Sequence, residues 1–293
     1  MPYHGERNVR ELSDGPDYLA AGDLQARLIR AGALPGASQM VKLTATEAAE
    51  YGEWHRMGLA NSHLADLVAN NERRGFLSIG LLANCTSLLG VLAGLQHSSA
   101  QGTVRPVGLV FIDAHGDFNT PETTLSGMLG GMPVAAAAGL ALHKLRGEST
   151  LDPPVATRRI VLAAVRDLDP LEKALIEDSR IARLSVDDLR SRSEQLHGEM
   201  RRLSAEVDLI YVHVDMDVLD PREVPGHPLT VPNGPTSAEL AAALTEMFGY
   251  DKVAALGIAS TPFGERDPDG VSRRAAYNLI EGALEGVRRR SDR

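Results

Sequence analysis

The feature that most constrains this chain is the alternation of short, continuous apolar segments with longer segments of helical periodicity. Strands buried on both faces are typical of parallel sheets, and helical segments supply the crossover connections that parallel strands require. The pattern therefore predicts an α/β fold in which helices cover both faces of a mainly parallel sheet. The predicted strands are Phe76–Ala83, Val107–Ile112, Arg159–Val165, Asp208–Val214 and Val253–Ala259.

Helical periodicity fills the intervals between these strands. The segment Thr44–Asn71 is predicted to form one or two helices. Because the chain contains neither a sequence repeat nor a low-complexity linker, we expect residues 1–293 to form a single domain. The other predicted helices are Ser87–Leu95, Gly131–Leu145, Pro170–Asp178, Ser193–Glu206 and Ser237–Phe248.

Composition excludes several classes of function. The formal net charge of -9 argues against nucleic acid as a partner, because phosphate binding needs a basic surface. The single cysteine, Cys85, cannot form an intrachain disulfide. Residues 1–7 lack the basic-then-apolar pattern of a signal peptide, and no apolar run approaches the ~20 residues of a membrane helix. We therefore expect a cytoplasmic protein without a membrane partner.

Two of the predicted strands run directly into acidic clusters, Asp113, His115 and Asp117 in the first and Asp215 and Asp217 in the second. Side chains at alternate positions of an extended chain point to one side, so each cluster can converge, and ligands of open α/β sheets bind at the carboxyl ends of strands. A single such motif is usually a group of solvated turn acids. Two at strand ends favour a metal site, since converging carboxylates repel unless a cation lies between them. Oxygen ligands with one nitrogen suit Mn(II).

Both clusters belong to longer motifs. The first reads DAHGDFNTP over residues 113–121, followed by TTLSG at 123–127 and GMP at 131–133, and the second reads HVDMDVLDP over 213–221. These motifs resemble the two signatures of the arginase and agmatinase family, and the resemblance extends from about residue 76 to residue 277. It implies a three-layer α/β/α fold, two Mn(II) ions bridged by a hydroxide, and hydrolysis of a guanidino or related amidine group.

The same resemblance implies roles for individual residues. Asp113 and Asp215 would bridge the two metals, His115 and Asp217 would complete one metal site, and Asp117 would complete the other. Because a guanidinium carbon is a poor electrophile, two metals would be needed to activate and orient the attacking water. Asp117 or Asp217, with a free oxygen, would then carry a proton to the leaving amine.

The chain departs from the family pattern at the first metal ligand. Cys85 stands where the family has a histidine in a GGDHS motif. The sequence leaves two interpretations open, a metal ligand and a small buried apolar residue. A thiolate ligand would fit Mn(II) poorly and would favour Zn, Fe or Co, whereas a metal held by carboxylates alone would bind weakly.

Two further departures concern catalysis and substrate. Gly130 replaces the proton-relay histidine of arginases; His227, in a Gly-His-Pro loop, is a candidate substitute, although a surface-loop histidine is the simpler interpretation. Ser260 or Thr261 takes the place of the arginase glutamate that pairs with the guanidinium. A hydroxyl does not compensate a buried positive charge. Either Glu265 folds back, or the reacting end of the substrate is less cationic than that of arginine.

The opposite end of the substrate site follows the family pattern. Asn119, Thr124 and Ser126 match the positions that hold the α-carboxylate, and Asp169 and Glu172 match the acids that face the α-amino group. The alternative interpretation of Asp169 is a helix N-cap before a proline in the first turn. These matches predict a small free amino acid as the substrate.

Three hypotheses of function follow. The leading one is an amidinohydrolase acting on N-hydroxyarginine or another modified guanidino acid, because family variants with cysteine at the first ligand position share the run DFNTPETT of residues 117–124. The second is hydrolysis of a formimino or other amidine acid by the same metal cluster. The third is a catalytically inactive homologue that acts as a binding subunit. By family resemblance the protein would form homotrimers or hexamers.

Overall fold

Six parallel strands form one sheet in the part of the chain that the computed structural model describes, Met1 and residues 12–291. Residues 2–11, which include most of the segment used above to predict the location, lie outside the described residues. The order across the sheet is β1-β6-β5-β2-β3-β4. The strands are β1 Ser78–Leu82, β2 Val107–Ile112, β3 Ile160–Ala163, β4 Ala182–Leu184, β5 Leu209–Asp215 and β6 Val253–Ala259.

All five predicted strands are present, and two of them, Val107–Ile112 and Val253–Ala259, have the predicted bounds. The strand Ala182–Leu184 was not predicted. It has three residues, of which only the last is buried, so it lacks the continuous apolar run that marks the other strands.

Twelve α-helices connect and cover the strands within the described residues. Thr44–Asn71 forms two of them, because Gly52 adopts a φ of 101° between them, a conformation that favours glycine. The predicted helix Gly131–Leu145 is also divided, and Leu142 has a φ of 49° at the start of its second part. The helices are α1 Gly15–Ala20, α2 Leu24–Arg30, α3 Ala45–Ala49, α4 Glu53–Arg73, α5 Leu88–Gln96, α6 Pro133–Ala137, α7 His143–Glu148, α8 Pro170–Glu177, α9 Val186–Ser191, α10 Glu194–Glu206, α11 Ser237–Phe248 and α12 Val271–Ser291.

Two apolar clusters lie on opposite faces of the sheet. Along β5, Tyr211 belongs to the cluster that also contains residues of α4–α8, whereas Ile210 and Val212 belong to the cluster with residues of α1 and α9–α12. This division follows from the alternation of side chains along a strand. The predicted three-layer α/β/α architecture with a parallel sheet is confirmed. No helix among the described residues combines the length and apolar character needed to cross a membrane.

Strand register brings the predicted acidic clusters together. Strands β2 and β5 are neighbours, with Ile112 opposite Val214. The next residues, Asp113 and Asp215, therefore lie at the same edge of the sheet. Strand β6 lies on the other side of β5 and pairs with β1, so the carboxyl ends of four strands meet at this edge. The edge is where ligands of open parallel sheets bind.

Candidate metal centre

The structure gathers most of the predicted ligands into one cluster at this edge. The ring nitrogen Nδ1 of His115 lies 3.3 Å from an oxygen of Asp113 and 3.1 Å from an oxygen of Asp217. Three overlapping groups offer ligand atoms that all lie within 4.8 Å of one another. The groups are Cys85, Asp113 and Asp215; Asp113, His115 and Asp217; and Asp215, Asp217 and His227.

The same local turn presents the acids at both strand ends. Asp113 accepts a hydrogen bond from the backbone N–H of His115 at 2.7 Å, and Asp215 accepts one from the N–H of Asp217 at 2.9 Å. Each carboxylate thereby stabilises the turn that leaves its strand. The N–H of Ala114 donates to Asp217 at 3.3 Å, which ties the loop after β2 to the loop after β5.

Asp117 differs from the other predicted ligands. It is buried in the same cavity, yet among the described residues it belongs to none of the three groups. Its φ of 46° turns the chain after the strand end, in a conformation that Asp adopts more readily than most residues. The carbonyl of Asp117 accepts from the N–H of Val134 at the start of α6, which fixes this loop.

The charges of the cluster are unbalanced without a cation. Burial and the neighbouring carboxylates raise the pKa of Asp117 and of Asp217 well above the usual range, and raise the pKa of Asp215 to about 7. Burial opposes protonation of His115, but hydrogen bonds to Asp113 and Asp217 raise its pKa to about 12. Carboxylates held this close retain protons unless a cation replaces them, so the set of donor atoms fits divalent metal ions.

The Cys85 thiol points into the acidic cluster. Its sulfur lies 2.9 Å from Oδ2 of Asp215 and 3.8 Å from Oδ2 of Asp113. Burial, followed by the charges of the surrounding aspartates, raises the pKa of the thiol well above its usual range. A metal ion would therefore be needed to hold Cys85 as a thiolate.

Two residues that form a polar chain with Cys85, His213 and Tyr211, were not predicted from the sequence to belong to the site. Nε2 of His213 lies 3.2 Å from the sulfur of Cys85, and Nδ1 of His213 lies 2.6 Å from the hydroxyl of Tyr211. The signal was available in the sequence, because Tyr211, His213 and Asp215 are alternate residues of one strand and so share a face.

The cluster forms the floor of a cavity of about 260 Å³. Four of the predicted substrate-binding residues line it beside the acidic cluster, namely Asn119, Ser126, Asp169 and Glu172. Thr124 is set back from the wall, with its hydroxyl 3.4 Å from that of Ser126. Glu265 is exposed and does not line the cavity, so it does not fold back over the site.

The two predicted acids for an ammonium group also have structural partners. Asp169 is the N-cap residue of α8, as the alternative interpretation expected, and Oδ2 accepts from the side chain of Asn119 at 3.1 Å. Glu172 accepts from the N–H groups of Phe118 and Asp169 at 2.9 and 3.2 Å. Burial raises the pKa of Glu172. Glu172 therefore also fixes the loop that follows β2.

His227 is not a surface-loop histidine, so the simpler interpretation of its motif was wrong. Its side chain is only 1% exposed and lines the cavity, with Nε2 3.8 Å from Oδ1 of Asp215. Burial lowers the pKa of His227 to about 4, so the ring is neutral at physiological pH. The segment around Arg266 packs closely against the loop of His227 at Gly226. A Cβ atom at Gly226 would lie 2.0 Å from the carbonyl oxygen of Arg266, so this close approach requires glycine.

The structure places Ser260, and not Thr261, at the cavity wall. The hydroxyl of Ser260 donates to Asp215 at 2.6 Å, and the backbone there has a φ of 61°. The backbone of Thr261 packs against Gly15 in α1, and the hydroxyl of Thr261 is buried without a partner among the described residues. Because Thr261 does not line the cavity, the prediction that it contacts the substrate has no support in this geometry.

The parallel sheet with acidic residues at adjoining strand ends defines a class of metal-dependent α/β proteins, and comparison with known families identifies which one. The family model described as the Arginase family matches residues 86–283. The chain therefore belongs to the arginase family.

Individual relatives agree with this assignment. An arginase of Brevibacillus brevis is 30% identical over 169 residues, which cover 57% of this chain and 55% of that protein. The match thus spans little more than half of that relative. A solved arginase from Bacillus subtilis superimposes with a TM-score of 0.82 at 22% identity, covering 97% of this chain and 96% of the other. A formimidoylglutamase from the same species gives 0.64 at 17% identity, covering 90% and 80%. Both likenesses show the fold alone.

Proposed function

We propose that this chain is a metal-dependent hydrolase of linear amidine or guanidine C–N bonds, acting on an amino acid related to arginine such as N-hydroxyarginine. The observation that carries the proposal is the set of three overlapping ligand groups on the floor of a cavity at the carboxyl edge of the sheet. Curated relatives named arginase support the choice of reaction.

Two divalent metal ions would be held by the acidic cluster. Cys85, Asp113, Asp117 and Asp215 would hold one, and Asp113, His115, Asp215 and Asp217 the other. When bound, the pair of ions would make water a nucleophile at neutral pH. Mn(II) suits the oxygen-rich ligands, whereas coordination by the thiol would shift the preference toward Zn, Fe or Co.

The far part of the cavity would bind the amino-acid end of the substrate. The hydroxyl of Ser126 and the amide of Asn119 would receive the carboxylate, with Thr124 supporting Ser126 from behind. The carboxylates of Asp169 and Glu172 would face the ammonium group. These contacts would hold the reacting carbon over the metal cluster, so that orientation contributes to the rate.

The wall beside the reacting group determines which substrates fit. Ser260 is the residue at this wall, and the nearest acid along the chain, Glu265, is exposed outside it. A charged guanidinium would therefore be buried here without the carboxylate that compensates it in arginases. An N-hydroxyguanidine, whose pKa is lower than that of a guanidine, fits a neutral wall better.

Proton transfer would be handled by residues of the cluster. Burial and the neighbouring carboxylates raise the pKa values of Asp117 and Asp217, so each would be able to hold a proton during the reaction. Gly130 offers no side chain for the relay that arginases use. His227 lies beside Asp215 and Asp217 in the third of the ligand groups.

Hydrolysis of a formimino or other amidine acid is the second candidate. It is favoured by the same neutral wall at Ser260, and a formimidoylglutamase shares the fold. An inactive homologue is disfavoured by the buried acids, since a binding subunit would gain stability by losing repelling carboxylates at Asp215 and Asp217.

The test is a substrate panel run on protein whose metal content is measured in the same sample. The protein is loaded separately with Mn, Zn, Fe and Co, and given N-hydroxy-L-arginine, L-arginine and N-formimino-L-glutamate. We expect release of hydroxyurea from the first compound to exceed release of urea from the second. Formamide as the main product would establish the second candidate. Absence of any bound transition metal after Mn supplementation would favour the inactive homologue.

A further inference from the structure

One ring nitrogen of His227 takes part in a hydrogen bond, and the other has no hydrogen-bond partner among the described residues. Nδ1 accepts a hydrogen bond from the backbone N–H of Leu229 at 3.2 Å. Nε2 is fully buried and has no hydrogen-bond partner among the described residues. The side chain is 1% exposed, so water does not readily supply the missing contact. A buried polar atom without a partner is costly unless a ligand satisfies it.

The Leu229 contact fixes the tautomer of the ring. Since a backbone N–H can only donate, Nδ1 of His227 must present its lone pair, and the proton of the neutral imidazole must lie on Nε2. The surroundings of Nε2 agree with this, because the nearby group is an acceptor, Oδ1 of Asp215 at 3.8 Å.

This tautomer excludes one role for His227 and indicates another. A metal ligand must offer a nitrogen lone pair, and neither ring nitrogen has one free. His227 is therefore a fixed hydrogen-bond donor in the cavity wall, although its position within 4.8 Å of the acids resembles that of a ligand. The hydroxyl hydrogen of Ser260 is directed to Asp215, so Ser260 presents only acceptor lone pairs to the cavity.

We propose that His227 selects substrates whose reacting end carries a hydrogen-bond acceptor, and that it excludes an unmodified guanidinium. This inference rests on the proposed function. A guanidinium has five N–H donors and no acceptor, so it would place a donor against Nε2–H of His227. The hydroxyl oxygen of an N-hydroxyguanidine can accept a hydrogen bond from Nε2–H of His227. The hydrogens of the same group can donate a hydrogen bond to the hydroxyl oxygen of Ser260. His227 and Ser260 together thus match an N–OH group.

The first arm of the test observes the donor directly. The protein is loaded with Zn(II), which is diamagnetic, and its histidine ring nitrogens are recorded by two-bond ¹H–¹⁵N NMR at neutral pH. The signals of His227 are assigned by their loss in His227→Gln. We expect a neutral ring protonated on Nε2, whose resonance moves when N-hydroxy-L-arginine is added. A ring protonated on Nδ1, or an Nε2 bonded to zinc, would overturn the proposal.

The second arm measures selectivity by calorimetric titration with N-hydroxy-L-arginine and L-arginine. His227→Leu removes the donor, and we expect the affinity ratio of the two compounds to fall about tenfold, the size associated with a buried hydrogen bond. His227→Gln, whose amide can donate from a similar position, is expected to restore most of the ratio. Thr261→Val is the matched control, because Thr261 is also buried, in the loop after β6, but does not line the cavity.

The outcomes separate the two proposals. An unchanged ratio in His227→Leu, or failure of N-hydroxy-L-arginine to bind the wild-type protein, would refute the role of His227. Selective binding that depends on His227 without any C–N hydrolysis would refute the proposed catalysis and leave the role of His227 intact.

Discussion

Nε2 of His213 lies 3.2 Å from Sγ of Cys85, within a continuous buried chain of polar contacts. The thiol of Cys85 donates its one hydrogen to Asp215 at 2.9 Å, so the sulfur can only accept from His213. The proton of the neutral His213 ring therefore lies on Nε2, and Nδ1 accepts from the hydroxyl of Tyr211 at 2.6 Å. His213 is neutral because burial lowers its pKa to about 4. The sulfur of Cys85 is thereby held against the candidate metal site, while the residue also packs within the apolar cluster that contains α4–α8.

Substitution of Cys85 tests whether the sulfur binds metal. We expect Cys85→Ala to lose about one of the two metal ions per chain, because only carboxylates would remain for that ion, and Cys85→His to retain or raise the Mn content. Metal per chain is measured after gel filtration. In wild-type protein loaded with Co(II), a thiolate-to-metal absorption band is expected, and it should be absent in Cys85→Ala. Full and equal occupancy in both proteins would show that Cys85 is not a ligand.

Removal of one hydroxyl tests the polar chain behind the cysteine. Tyr211→Phe leaves Nδ1 of the buried His213 without a partner, so we expect a loss of about 1–3 kcal/mol in the free energy of unfolding. Urea unfolding measures the change. Tyr250→Phe is the matched control, since that hydroxyl is partly exposed near His197 and should contribute under about 1 kcal/mol. Equal losses in the two variants would contradict the prediction.

Gly257 in β6 makes room for the same tyrosine. A Cβ atom at this position would lie 2.0 Å from the hydroxyl oxygen of Tyr211, which cannot move away because the ring is fully buried and bonded to His213. We expect Gly257→Ala to destabilise the fold by about 1–3 kcal/mol through overpacking. Gly36→Ala, with nothing within 4 Å of its Cβ position, serves as the control. A thermal shift no larger than that of the control would argue against this close packing.

Neutralising Asp117 should have opposite effects with and without metal. Burial and neighbouring carboxylates raise its pKa, so the charged form destabilises metal-free protein. Asp117→Asn keeps a side chain that tolerates the local φ of 46°, and we expect chelator-treated protein to gain roughly 1 kcal/mol of stability. Addition of Mn(II) should raise the thermal stability of Asp117→Asn by less than it raises that of the wild-type protein. Thermal melts with EDTA or Mn(II) measure both effects. A variant less stable than wild type in EDTA would refute the idea.

His55 provides a pH-dependent contact between helices. Its two ring nitrogens lie 2.6 Å from Glu50 and 2.8 Å from Glu148, and these hydrogen bonds raise the pKa of the ring above 6.5. A group whose folded pKa is raised stabilises the fold fully below its unfolded pKa, and the effect disappears as the pH rises through the folded value. His55→Gln should therefore be less stable than wild type at pH 5.5, and the difference should shrink as the pH rises to 9. A difference independent of pH would disprove the charged contact.

Much of the fold and of the candidate metal site could be predicted from local sequence pattern. Val107–Ile112 and Val253–Ala259 appear with their predicted bounds because buried parallel strands are continuous apolar runs. Asp113 and Asp215 were expected at one edge because parallel strands all end on the same side of their sheet. The short strand Ala182–Leu184 had no such pattern and was missed.

The directions of the side chains in the loops could not be predicted from local sequence pattern. The sequence alone determined the parallel sheet and the convergence of acids at its carboxyl edge, since period-two alternation and strand direction are local properties. Only the tertiary structure decided that Cys85 contacts His213, that His227 is buried over the cluster, and that Ser260 rather than Thr261 faces the cavity. These side chains lie where the backbone leaves regular geometry, so their directions depend on packing between segments distant in the chain.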